Sequence, residues 1–156
     1  MEIKEVIDHI RNRDYMSGVE RDKLRVKQTG EIFTRSWTAI ESLELLEKSD
    51  PTAFSDPSKT FIDPAGGDGT LVGEVLIRKM ENGIDFETAL NTIYSVDLME
   101  DNVKLCQDRL LCGREDLRHV VEKNIICSDA LSYDYSFNGT NKTEADIRFE
   151  SFFEEI

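Results

Sequence analysis

Little in this chain suits a membrane, a secreted scaffold or a metal centre. No run of about 18 apolar residues occurs, so no membrane span is expected. The N-terminus is acidic early and has no apolar h-region, so no secretory signal is expected and the chain reads as cytoplasmic. Only three cysteines are present, Cys106, Cys112 and Cys127, and their spacing fits no metal-ligand pattern. Cys106 and Cys127 lie in apolar runs and read as buried free thiols in a reducing compartment. His9 and His119 are isolated from each other and from any cysteine, so no metal is expected. Basic residues are scarce, 19 Lys and Arg against 32 Asp and Glu, for a net charge of -13. A surface this acidic does not hold a nucleic-acid backbone over its whole extent. The charge is uneven. Residues 11–35 carry seven basic and four acidic side chains, whereas 127–156 carry seven acidic and two basic. The basic stretch reads as a solvated polar face. Repeats and low-complexity segments are absent.

At 156 residues the chain makes one domain with room for a core. Residues 1–50 read as an N-terminal helical part. Ile3, Val6, Ile7 and Ile10 form one face of a first helix. Residues 14–30 are a polar connector. A second helix follows, with Thr34 or Ser36 as its N-cap and Trp37, Ile40, Leu43 and Leu46 as its apolar stripe. It stops before Asp50-Pro51, and 50–59 is a loop. The core spans 60–131. Its strands are expected near Thr60–Asp63, Thr92–Val96 and Asn124–Cys127, with helices at Thr70–Glu81, Phe86–Asn91 and Glu100–Leu111. Leu117, Val120 and Val121 cover a further helical turn. Strands alternating with helices predict an α/β fold, a mostly parallel sheet with helices on its faces. The tail, 132–156, is polar at first. It ends in Ile147, Phe149, Phe152, Phe153 and Ile156, a pattern open to either strand or helix.

The richest stretch is Phe61-Ile62-Asp63-Pro64-Ala65-Gly66-Gly67-Asp68-Gly69-Thr70, a strand end, a glycine-rich turn and a helix start. Such a turn is expected to point backbone N–H groups at a ligand. Ligands on open α/β sheets bind at the carboxyl ends of the strands. Three aspartates are expected at that edge, Asp63, Asp97 and Asp129, one per strand. Each alone suits a cap or a solvated loop; three beside a glycine turn suit a ligand site. The turn lacks the third glycine of G-x-G-x-x-G, and Asp63 and Asp68 place carboxylates where phosphates would sit. A cationic nucleoside without phosphates fits better, and S-adenosylmethionine is one. A carboxylate after the second strand can accept from ribose hydroxyls, and one after the third from the adenine amino group.

On these residues the chain resembles the N-terminal half of S-adenosylmethionine-dependent DNA methyltransferases of the adenine-N6 type. Asp63-Pro64-Ala65-Gly66-Gly67-Asp68-Gly69 is similar to their D-P-A-C-G-x-G cofactor loop, with Gly66 in place of cysteine. Lys27 to Thr34 is similar to the segment before it, and the resemblance implies that Phe33 and Thr34 help hold the methionine end. Asp97 and Leu98 match the ribose carboxylate and its apolar neighbour on adenine. Ser128-Asp129-Ala130-Leu131 matches the turn that reads the adenine amino group. The resemblance covers roughly residues 27–131.

It implies a truncated Rossmann-like methyltransferase fold of three to four strands, with S-adenosylmethionine as cofactor. The implied cofactor residues are Phe33, Thr34, Asp63, Pro64, Ala65, Gly66, Gly67, Gly69, Asp97, Leu98, Asp129 and Ala130. The family's [N/D]-P-P-[Y/F] motif, which holds the target base, has no counterpart. Asp146-Ile147-Arg148-Phe149 stands where it should lie, so no catalytic residue is assigned. Three readings follow. The chain is the cofactor half of an enzyme that needs a partner chain or a second copy to complete the sheet and reach DNA. It is a non-catalytic module that binds S-adenosylmethionine or regulates a methyltransferase. Or it is a structural remnant without ligand.

Overall fold

The structure is a computed structural model and describes residues 1–12 and 33–138. The connector, the Lys27–Ile32 part of the family-like segment and the apolar tail from Asp146 lie outside the described residues. The elements are α1 (Ile3–Arg11), α2 (Ser36–Ser49), β1 (Phe61–Asp63), α3 (Thr70–Glu81), α4 (Phe86–Leu90), β2 (Ile93–Asp97), α5 (Glu100–Leu111), a 3-10 turn (Glu115–Leu117), α6 (Arg118–Asn124) and β3 (Ile125–Cys127). The fold is mixed α/β. Its described strands form one parallel sheet in the order β1-β2-β3, with Phe61 opposite Ile93 and Ser95 opposite Ile125.

The two sheet faces have different cover. Alternation puts Phe61, Asp63, Ile93, Ser95, Asp97, Ile125 and Cys127 on one face. There α3 and α5 pack, through Val72, Val75, Leu76, Val103, Cys106 and Leu110, all buried. Each fully buried aliphatic side chain contributes about 1.5–3 kcal/mol, so this face anchors the domain. The opposite face holds Ile62, Tyr94, Val96 and Ile126. Tyr133, Tyr135 and Phe137 gather over it, and the Tyr94 and Phe137 rings are 4.7 Å apart. Ile62, on edge strand β1, stays half exposed.

Local chemistry sets the ends. Asn82 and Gly83 close α3, with Gly83 at φ 87. Asp85 caps α4 by accepting from the Thr88 N–H at 3.0 Å. The loop before β1 is not merely a connector. Its Phe54 is buried and stacks on Phe61 at 5.1 Å. Lys79 of α3 is also buried there, and its ammonium donates to the Lys59 carbonyl and the Thr92 hydroxyl, each at 2.6 Å.

Helix α1 docks by Val6 and Ile10, both fully buried, as its spacing predicts. Gly73 of α3 makes this possible, since a Cβ there would lie 2.9 Å from Ile10 Cγ2. Helix α2 departs from expectation twice. Its N-cap is Arg35, without a side-chain cap bond, so neither Thr34 nor Ser36 plays that part. Ala39 and Leu43 are its buried residues, while Trp37 is 58% exposed and Leu46 39%. The cause is helical geometry. A stripe at constant i+3 spacing slips about 60° per step, so Trp37 and Leu46 end up about 180° apart around the axis.

Candidate functional site

The chain runs from Asp63 at the end of β1 through Pro64–Gly69 into α3. Gly67 has φ 52 and Gly69 φ 83, left-handed values that favour glycine. Two glycines are also fixed by space. A Cβ on Gly66 would lie 1.8 Å from Ser95 Oγ, and one on Gly69 would lie 2.6 Å from Cys106 Sγ. Ser95 thus fills the volume that a side chain at position 66 would need.

The turn's N–H groups are spent internally, contrary to expectation. Ala65 N donates to Asp63 Oδ1 (3.0 Å) and Gly66 N to the Val96 carbonyl (3.0 Å). Gly67 N donates to Asp97 Oδ2 (2.8 Å) and Gly69 N to the Gly66 carbonyl (2.9 Å). Thr70 N turns to Asp68 Oδ1 at 3.3 Å. A phosphate needs converging free N–H groups, and these five have acceptors already.

The Asp68 carboxylate, expected where phosphates would sit, turns inward instead. It is buried, 4% exposed, and pairs with Arg109 Nη1 at 2.9 Å, while Thr70 Oγ1 donates to its other oxygen at 2.8 Å. Asp68 therefore repels no phosphate. What disfavours an anion at this edge is the bonded state of those N–H groups together with the carboxylates of Asp63, Asp97 and Asp129.

Those carboxylates form a staircase rather than a level row. Asp63 pairs with Ser95, two residues short of Asp97, and Asp97 pairs with Cys127, two residues short of Asp129. The step from Asp63 to Asp97 is about 6.6 Å along the strands and about 4.8 Å across them, and Asp129 stands two residues past the end of β3. Asp97 Oδ1 accepts from Met99 N (2.9 Å) and Asn102 Nδ2 (3.2 Å), and Oδ2 from Gly67 N. A carboxylate oxygen takes about two donors, so Oδ2 retains room for one more. Asp129 Oδ1 accepts from Leu131 N at 2.9 Å.

Burial, then the nearby Asp97 charge, raises the Asp63 carboxyl above the ordinary aspartate range, against the Ala65 N–H that lowers it. The sign of the consequence is fixed by linkage. The folded state holds the Asp63 proton to higher pH than the unfolded chain does. Its favourable contribution is complete below the ordinary aspartate value and is lost as pH rises through the raised one. Asp63→Asn is therefore expected to stabilise the chain at neutral pH, with the gain shrinking toward pH 4. Urea melts across that range would show it, and a variant weaker than the parent at pH 7 would refute it.

The other expected residues sit around this edge. The Phe33 ring passes over the turn, 3.5 Å from where a Gly67 Cβ would stand. Thr34, Pro64 and Ala65 are exposed, and Leu98 is 43% exposed at the end of β2. Ala130 is half-buried, and its carbonyl accepts from the Tyr135 hydroxyl at 2.8 Å. Sequence reasoning missed Ser95, Asn102, Arg109 and Tyr135. Arg109 alone left a signal: it lies three residues after the inward Cys106, on the apolar side of α5. Among the described residues no group of three or more His, Cys, Asp or Glu could hold a metal ion. None of their helices is long and apolar enough to cross a membrane.

Comparison with protein-family models, with curated proteins and with solved structures gives no match.

Proposed function

We propose that this strand edge binds S-adenosylmethionine and that the chain is the cofactor-binding half of a DNA adenine-N6 methyltransferase-like enzyme. The carrying observation is the polarity of the edge. Asp63, Asp97 and Asp129 offer acceptors there, whereas the N–H groups of residues 65, 66, 67, 69 and 70 are already bonded. A ligand rich in donors and positive charge suits this edge, and an anionic phosphate does not. In this reading Asp97 Oδ2 takes a ribose hydroxyl and Asp129 the adenine amino group, with Leu98 and Ala130 as apolar walls. Phe33, Thr34 and Asp63, with Pro64, Ala65 and glycines 66, 67 and 69, shape the methionine end.

The acceptor side belongs to a partner chain or a second copy docked at β1. Support comes from the β1 edge, where Ile62 is half exposed and opens onto a pocket lined also by Thr60, Tyr94, Lys123 and Phe137. The second reading, a non-catalytic S-adenosylmethionine-binding or methyltransferase-regulating module, is favoured by one observation. The three prolines, Pro51, Pro57 and Pro64, are not adjacent, so these 156 residues contain no Pro-Pro step.

Isothermal titration tests the common ground. S-adenosylmethionine is expected to bind at one site per chain, at least tenfold tighter than ATP. No binding, or a preference for ATP, would sink the first reading and the S-adenosylmethionine-binding form of the second. Methyl transfer to mixed DNA, assayed with the protein alone and with candidate partner chains, separates them. Binding with no transfer in any combination would leave only the module.

A further inference from the structure

We infer that Arg109 is a positioning residue for the ligand site, a latch through which the docking of α1 sets the shape of the glycine turn. The link to S-adenosylmethionine rests on the function proposed above; the latch itself rests on geometry. Arg109 projects from α5 and is 6% exposed. Its Nε and Nη2 both donate to the Ile10 carbonyl, at 3.1 and 2.9 Å. That carbonyl is in the last turn of α1, where helical acceptors lack intrahelical partners. Its Nη1 donates to Asp68 Oδ2 at 2.9 Å, to Thr70 Oγ1 at 3.0 Å and to the Asp68 carbonyl at 3.4 Å. One guanidinium thus joins the end of α1 to the residues on either side of left-handed Gly69.

The rest of the turn hangs on those two residues. Gly69 N bonds the Gly66 carbonyl, and Gly67 N bonds Asp97 Oδ2, the oxygen with an acceptor position left. A shift at Asp68 or Gly69 therefore reaches the ligand carboxylate through one covalent span and one hydrogen bond. Arg11 strengthens the α1 side, donating to both oxygens of buried Glu74 on α3 at 3.0 and 2.8 Å. A lysine cannot replace the fork, because a single ammonium cannot reach Ile10 and the Asp68–Thr70 pair together. Coupling of this kind is reciprocal, so a ligand that orders the turn also tightens α1.

A purely structural Arg109 would only neutralise a buried carboxylate. The full chain with Arg109→Met and Asp68→Asn together removes both charges, and Arg109→Lys keeps charge while losing the fork. Amide hydrogen exchange is measured at Gly67, Gly69, Thr70 and along α1, without ligand, beside exchange in β2 as an internal reference. The latch predicts at least tenfold faster exchange at the turn and in the last turn of α1 in both variants, with β2 unchanged. S-adenosylmethionine affinity should fall at least tenfold in parallel. Unchanged turn exchange in either variant, or acceleration that β2 shares equally, would overturn the latch. If the parent protein fails to bind S-adenosylmethionine, the ligand reading falls, and the exchange comparison still decides whether the latch exists.

Discussion

Gly66→Cys, which places at position 66 the residue usual in the family that the loop resembles, is expected to destabilise the fold by about 3 kcal/mol. The reason is volume. A Cβ at Gly66 would stand 1.8 Å from Ser95 Oγ and 3.1 Å from Ser95 Cβ. Rotating the Ser95 hydroxyl away relieves the first overlap and leaves the second. Ser95 is 1% exposed on the central strand, and Gly66 is tied to that strand by its N–H on the Val96 carbonyl at 3.0 Å. Neither backbone can back off without breaking the β1–β2 pairing beside it. Ser95→Ala in the Gly66→Cys background should recover about half the loss, because it removes Oγ and keeps the tight Cβ. Denaturant midpoints of the four proteins would form the cycle. A Gly66→Cys protein as stable as its parent would show that the turn has slack, and that Ser95 does not exclude a side chain at 66.

The same pair shows where sequence reasoning stopped. The limits of α3 and α5 were legible because they depend on neighbours in the chain: Gly69 before Thr70, Asn82-Gly83 after Glu81, and apolar residues at helical spacing. The three edge carboxylates were legible for a related reason, since a residue just past a parallel strand has little choice of edge. Which way a carboxylate points was not legible. Asp68 looks like Asp63 in sequence, yet it turns inward because Arg109, 41 residues on, is buried beside it. The N–H groups of the turn were misjudged for two reasons: Gly66 and Gly67 find acceptors on the next strand, at Val96 and Asp97, while Ala65, Gly69 and Thr70 bond within the turn itself. Helix α2 failed by a subtler route. Its i+3 stripe reads as one face in a list of residues and winds half round the helix in space. Local rules fixed the elements, and long-range partners decided the polarity of the site.

Asp97→Ala should weaken S-adenosylmethionine binding more than tenfold and cost about 2–3 kcal/mol of stability. Two losses combine. Oδ2 holds the turn through Gly67 N and is the oxygen with an acceptor position left for a ribose hydroxyl. Oδ1 holds the start of α5 through Met99 N and Asn102 Nδ2. Removing the carboxylate strands these three donors in a half-buried setting, each at up to about 1 kcal/mol where water reaches it. Asp97→Asn should bind almost as poorly, since its amide NH2 must face either Gly67 N–H or Met99 N–H, donor against donor. Asn102→Ala is the contrasting change. It removes a donor from Oδ1, leaves Oδ2 and its bond to Gly67 in place, and should alter affinity less than twofold. Calorimetric titration of the three variants, with melts alongside, separates anchoring from recognition. If Asp97→Ala kept the parent's affinity, Asp97 would be a strut between turn and helix and nothing more. If Asn102→Ala lost affinity as heavily as Asp97→Ala, the ligand would depend on the α5 end of the carboxylate, and the role given to Oδ2 would be wrong.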